Sequence, residues 1–310
     1  MSASEKAAYI FPGQGAQAVG MGHDIYDTFE SARGIFDQAD KVLDFPLTRL
    51  CFEGPEEELR LTINAQPALV TMSYAILTVI RETAPDSLPE PAYMAGHSLG
   101  EYTALAAAGA LDFSTTVHLA RERGRLMHEA GLKQTGGMVA VIGLEEDLLN
   151  EVCNKTNTRI ANFNSPGQMV ISGPMESMPA AAELALARGA NRVIPLQVSG
   201  AFHSPLMQPA QEGLSEIIAN AEIRDPAVPI VANTTAQPLT SAGQLREELN
   251  EQLCNPVQWQ RTIEFMISKG VSTFYEIGPG KVLAGLNKRI DRDIITHNIN
   301  DALAITNLSR

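Results

Sequence analysis

The sequence predicts an α/β chain of two subdomains, a large one on a largely parallel sheet and a small βαββαβ unit inserted into it. Three observations carry this: short apolar runs alternate with helical segments over most of the chain, six elements in βαββαβ order fill its middle, and a Gly-x-Ser-x-Gly sequence joins an apolar run to a helical stretch. In chain order, residues 7–11 read as a strand ending at Pro12-Gly13-Gln14-Gly15. Residues 67–83 read as a helix with Pro67 in its first turn, where proline costs no hydrogen bond. Residues 91–95 are a short apolar run. Ser114 is the expected N-cap of a helix running to Gly131. Within the middle, 138–143 reads as strand, 145–155 as helix, 159–163 and 168–172 as strands, 175–188 as helix and 192–197 as strand. That order is the ferredoxin-like unit. Gly136-Gly137 and Ser199-Gly200 suit the crossing points, so residues 1–131 with 199–310 form the large subdomain and 132–198 the small one. Asn255-Pro256 opens a further helix closed by Gly270, and 273–277 follows as a strand. The cleft between two subdomains is the expected place for a ligand.

Composition narrows the function. With 310 residues, 45% apolar and 19% charged, the chain can bury a sizeable core of the kind soluble enzymes have. A net charge of -13 argues against a nucleic-acid partner. The cysteines Cys51, Cys153 and Cys254 form no CxxC pair, which predicts reduced thiols in the cytoplasm and neither a disulfide frame nor a zinc site. Met1 to Lys6 does not look like the start of a signal peptide. No apolar run approaches the ~20 residues of a membrane span.

Gly96-His97-Ser98-Leu99-Gly100 sits between the 91–95 run and an alanine-rich stretch over 101–110. In that context it reads as a nucleophile elbow, which makes the large subdomain α/β-hydrolase-like. The serine occupies a strained turn, and the flanking glycines let neighbouring chain pass close. A serine nucleophile needs a base. Of His23, His97, His118, His128, His203 and His297, those at 118 and 128 fall within a helical stretch, and those at 23 and 297 suit structural roles. His97 adjoins the serine, where side chains diverge. His203, in Gly200-Ala201-Phe202-His203-Ser204-Pro205, is the remaining candidate, and a hydrogen-bonded loop histidine is an equally good reading of it. The acid of a triad is missing. Asp112 and Asp147 lie at helix starts, where capping and dipole effects explain them, and Glu101, Glu122 and Glu129 lie on exposed-looking helix faces. A Ser–His dyad, its histidine oriented by a carbonyl or amide, follows. Arg121-Glu122-Arg123-Gly124-Arg125 has the composition of a solvated helix face, and 162–168 that of an ordinary turn between strands.

Seven segments together resemble the malonyl-CoA:acyl carrier protein transacylase family, with which polyketide acyltransferase domains share the pattern. They are Phe11-Pro12-Gly13-Gln14-Gly15-Ala16-Gln17, Gly96 to Glu101, Arg123-Gly124, Asn162 to Gln168, the His203 turn, Asn255-Pro256-Val257-Gln258-Trp259 and Glu276-Ile277-Gly278-Pro279-Gly280. The resemblance runs from Ala8 to Arg289. It implies that Ser98 attacks the thioester of malonyl-CoA and that His203 takes and returns its proton. It implies an oxyanion hole from the N–H groups of Leu99 and Gln14, a histidine-orienting carbonyl at Gln258, and a malonyl carboxylate on Arg123, whose planar fork suits that ligand. His97, Asn162, Gln168 and Phe202 would line the substrate site, and the Ala201-Phe202-His203 turn is of the type that goes with malonyl rather than methylmalonyl. Transfer would proceed by a ping-pong mechanism through a malonyl-serine ester, in fatty-acid or polyketide synthesis, without metal or cofactor, malonyl-CoA being substrate and CoA product. The acidic carrier protein would dock on Arg188, Arg192, Lys281, Lys288 and Arg289, with the chain a monomer. An acyl hydrolase of the same fold, editing acyl carrier protein, is the alternative.

Overall fold

The computed structural model describes residues 6–198 and 200–308; Met1 to Glu5 and the crossing residue Ser199 therefore lie outside the described residues. Strands β1 (Lys6–Phe11) and β2 (Pro91–Gly96) precede a separate group, β3 (Gly136–Ile142), β4 (Arg159–Ser165), β5 (Gln168–Pro174) and β6 (Arg192–Pro195). The chain then returns through β7 (Ile230–Val231), β8 (Pro238–Leu239), β9 (Val271–Ile277) and β10 (Ile295–Ile299). One sheet has the order β10-β9-β1-β2-β7-β8 and the other β4-β5-β3-β6. In the first, every pair is parallel except β7 with β8. The central strand β1 is buried over Ala7–Phe11, as an apolar run covered on both faces requires. The helices Glu30–Leu43, Thr62–Thr83, Phe113–Lys133 and Gln208–Asn220 pack on one another beside it.

The second sheet is antiparallel throughout, with β3 paired to both β5 and β6. Helices Glu146–Thr156 and Met178–Ala187 supply the crossovers, giving the expected ferredoxin-like order. Val139, Val141, Leu149, Val152, Phe163, Ile171 and Ala181 form a core of its own. The segment just before Trp259 runs against β4: the Phe163 N–H donates to the Val257 carbonyl (2.8 Å) and the Val257 N–H to that of Ala161 (2.8 Å).

Four local expectations need correcting. The helix expected over 67–83 begins at Thr62, with Pro67 inside it. Pro67 cannot donate to the Ile63 carbonyl, and the Arg121 guanidinium takes that acceptor instead at 3.0 Å. This helix is also long and apolar enough, by length and composition, to cross a membrane, contrary to the expectation that no such run exists; 83% of its most apolar window is buried inside the fold. Asp112, rather than Ser114, caps the helix Phe113–Lys133, its carboxylate accepting from the Thr115 N–H at 2.8 Å. The helix expected from Asn255 starts only at Trp259, because residues 256–258 run alongside β4.

Candidate active site

Ser98 sits at the turn between β2 and the helix Gly100–Ala107 with φ 51°, a left-handed conformation rare outside glycine. The close crossings around it explain the glycines. A Cβ on Gly96 would lie 1.9 Å from the Gly100 carbonyl carbon, one on Gly100 2.1 Å from the Phe11 carbonyl oxygen, and one on Gly13 2.3 Å from that of His97. We expect Gly96→Ala to lose about 3 kcal/mol of stability in denaturant unfolding; an unchanged midpoint would show that the crossing does not demand glycine. The Asn233 side chain accepts from the Ser98 N–H at 2.7 Å and donates to the Gly96 carbonyl at 2.8 Å, pinning the elbow from behind. The Leu99 and Gln14 N–H groups form no backbone hydrogen bonds among the described residues.

His203, also at positive φ (56°), is buried, with Nε2 2.7 Å from Ser98 Oγ. Its Nδ1 faces two carbonyls, Gln252 at 2.9 Å and Asn255 at 3.2 Å. Since carbonyls only accept, Nδ1 carries the proton and Nε2 is free to accept the Ser98 hydroxyl proton. Burial foremost, and the Arg123 charge next, pull the imidazole from its ordinary 6.5 down to about 3. The base is therefore in its working form at neutral pH. Serine acylation should show no acid limb near pH 6.5 in a rate profile; an inflection there would contradict a buried neutral base. The unfolded chain binds a proton between pH 6.5 and about 3 that the folded chain does not. His203 therefore contributes stability that is present above pH 6.5 and lost as pH falls through that window.

Arg123 comes from the helix Phe113–Lys133. Its neighbour Gly124 lets that helix press against the helix Thr62–Thr83, where a Cβ would meet the Thr62 carbonyl oxygen at 2.5 Å. Arg123 is only 1% exposed, while Arg125 on the outer face pairs with Glu122 and Glu129. The guanidinium donates to Gln66 Oε1 (2.9 Å), Gln252 Oε1 (2.9 Å) and Ser98 Oγ (3.1 Å), and lies 5.5 Å from the Tyr102 ring centroid. No carboxylate pairs with it among the described residues. Burial lowers its pKa, yet arginine stays charged in proteins, so the site holds a desolvated cation beside the hydroxyl.

These groups open on a cavity of about 290 Å³ between the two sheets. Gln14, His97, Ser98, Arg123, Phe202 and His203 line it from one side, Asn162, Asn164, Gln168 and Val170 from the other. His97 Nε2 lies 2.8 Å from Asn164 Oδ1, and burial pulls its imidazole down as well. Gln168 accepts from Arg289 at 3.2 Å. Gln258 is not brought to the site. Its N–H donates to the Asn233 carbonyl (2.7 Å) and its side chain accepts from Arg261. The carbonyls that meet His203 belong to Gln252 and Asn255, just past the helix Ala242–Glu251, where backbone carbonyls lose their helical donors. Glu101 is not on an exposed face either but fully buried, accepting from the Asn233 N–H (2.9 Å) and the Gln252 amide (2.5 Å). Burial and the neighbouring Glu248 push its carboxyl well above the usual range, against those two hydrogen bonds.

A serine on a strained elbow, hydrogen-bonded to a neutral histidine in a parallel α/β fold, defines an enzyme that passes acyl groups through serine. The comparisons make the class specific. The acyl transferase domain model matches residues 8–306, and the chain belongs to that family of acyltransferases. It is 46% identical over 301 residues to the malonyl CoA-acyl carrier protein transacylase of Bacillus subtilis, covering 96% of this chain and 94% of that protein. Against the Escherichia coli K12 enzyme of the same name identity is 41%, covering 96% and 97%. Among solved structures, a malonyl-transacylase in complex with a type II polyketide acyl-carrier protein superposes with a TM-score of 0.94 at 40% identity, covering 98% of this chain and 99% of that one. An acyl carrier protein S-malonyltransferase from Vibrio cholerae gives 0.93 at 39%, covering 98% and 100%.

Proposed function

We propose that the chain transfers a malonyl group from malonyl-CoA to the phosphopantetheine thiol of acyl carrier protein, in fatty-acid or polyketide synthesis. The observation that supports the malonyl specificity most is Arg123: a buried cation with no carboxylate partner among the described residues, 3.1 Å from the nucleophile, suits a substrate carrying its own carboxylate. Ser98 Oγ gives its proton to His203 Nε2 as it attacks the thioester carbonyl. The oxyanion that forms is held by the Leu99 and Gln14 N–H groups and offsets the charge of the new imidazolium. Collapse breaks the C–S bond, and the departing CoA sulfur takes the proton from His203. The carrier thiol then reverses these steps on the malonyl-Ser98 ester. Exchange of one thioester for another is nearly isoenergetic, so no metal or cofactor is required.

Residues 1–131 with 199–310 and residues 132–198 serve as the two walls of the cleft, and Asn162, Gln168, His97 and Phe202 shape the acyl pocket. Lys281, Lys288 and Arg289 are exposed on and before the helix Val282–Ile290, whose Val282, Leu283 and Leu286 line the cavity. They suit an acidic carrier better than Arg188, which already pairs with Glu151. The unpaired cysteines suit a cytoplasmic setting. The test is intact-mass analysis after mixing with malonyl-, methylmalonyl- or acetyl-CoA, with and without holo-carrier protein. A malonyl adduct that passes to the carrier is expected. Release of free malonate without carrier transfer would sink the reading in favour of the editing hydrolase.

A further inference from the structure

The Gln252 amide stands at a junction. Its oxygen accepts from Arg123 at 2.9 Å, and its nitrogen donates both to Glu101 Oε2 at 2.5 Å and to the Ser98 carbonyl at 3.0 Å. The amide's two hydrogens are thus both used. Glu101 in turn accepts the Asn233 N–H on its other oxygen, while the Asn233 side chain accepts from Ser98 N–H. Both Gln252 and Glu101 are fully buried, so no water can substitute for a lost partner. An amide can present either end to Arg123, and only the oxygen end can anchor a guanidinium. Which end faces it is decided by the acceptors on the opposite side, Glu101 Oε2 and the Ser98 carbonyl, of which Glu101 is the nearer and the one a side-chain substitution can remove.

We propose that Glu101 is a specificity-positioning residue: by accepting the Gln252 amide nitrogen it turns the amide oxygen onto Arg123 and holds the guanidinium where a malonyl carboxylate is bound. The proposal rests on the role given above to Arg123. Glu101→Gln keeps the size of the side chain but has one acceptor where two are needed. The backbone N–H of Asn233 cannot turn away, so the new carboxamide keeps its oxygen there and points its nitrogen at Gln252. Two donors then face each other. The Ser98 carbonyl still holds the amide nitrogen on that side, so the Gln252 amide cannot turn over and is pushed aside instead, which draws its oxygen off Arg123 and costs the guanidinium an anchor.

The measurement is the ratio of kcat/KM for malonyl-CoA over acetyl-CoA, read from intact-mass malonylation and acetylation rates of the full chain. Glu101→Gln is expected to lower it about tenfold, chiefly through the malonyl KM. Glu248→Gln removes the adjacent buried carboxyl, which serves Thr234 rather than Gln252, and is expected to lower stability without moving the ratio. Gln252→Met keeps the backbone carbonyl that His203 uses but deletes the amide. It is expected to lower the ratio as far as Glu101→Gln, with no further loss in the double variant. A folded Glu101→Gln with the parent ratio overturns the proposal. If that variant does not fold, a parent ratio in Gln252→Met overturns it instead. Arg123→Ala is run beside them: if it too leaves the ratio unchanged, the carboxylate-binding reading itself has failed, whereas a collapse in Arg123→Ala alone isolates the failure to Glu101.

Discussion

Ser98→Ala is expected to give no malonyl adduct and to lower carrier malonylation by about ten-thousandfold or more, since Ser98 carries the only hydroxyl or thiol among the described residues that line the cavity. His203 Nε2 loses its only hydroxyl partner among the described residues, and Arg123 loses one of its three acceptors. The backbone is unaffected in kind, because alanine tolerates φ 51° no better and no worse than serine. The thermal midpoint should therefore stay near that of the parent while activity vanishes. An adduct persisting in the variant, mapped by peptide mass to another residue, would displace Ser98 as the nucleophile.

Arg123→Ala should shift preference from malonyl-CoA towards acetyl-CoA by about ten- to a hundredfold. The loss is specific to substrates with a carboxylate, because the acetyl group never used the guanidinium. Gln66 and Gln252 hold the two ends of the fork, so a lysine, with one point of charge, cannot satisfy both. Arg123→Lys should therefore recover little of the selectivity. Equal losses for both acyl-CoAs would make Arg123 a support for Ser98 rather than a carboxylate site.

The sequence made some of this legible and hid the rest for identifiable reasons. The elbow, the two sheets and His203 were readable because each leaves a local trace: glycines at forced crossings, strand–helix alternation, a histidine in a turn. Arg123 was ambiguous, since Arg121 to Arg125 alternates in a way that suits a solvated face, and only Gly124 hints that one side is pressed against another helix. The resemblance puts the orienting carbonyl at Gln258, and the sequence cannot correct this because any residue has a carbonyl, so side-chain identity says nothing about which one points at Nδ1. The burial of Glu101 is hidden for a different reason. The helix Gly100–Ala107 is buried on every side, so no apolar stripe distinguishes an inner face from an outer one. Asn233 and Gln252 meet Ser98 from 135 and 154 residues away, and no local pattern carries such a contact.

The left-handed backbone at both Ser98 and His203 has a consequence for evolution under heat. Each position forgoes about 1–2 kcal/mol that a glycine would recover. Variants of this chain selected for thermal endurance alone should drift towards glycine at Ser98 and discard the chemistry with the strain, whereas at His203 the packing of the buried ring opposes that drift. Stability and turnover pull against each other at the nucleophile and its base, and the buried framework around them has to supply what those two residues give up.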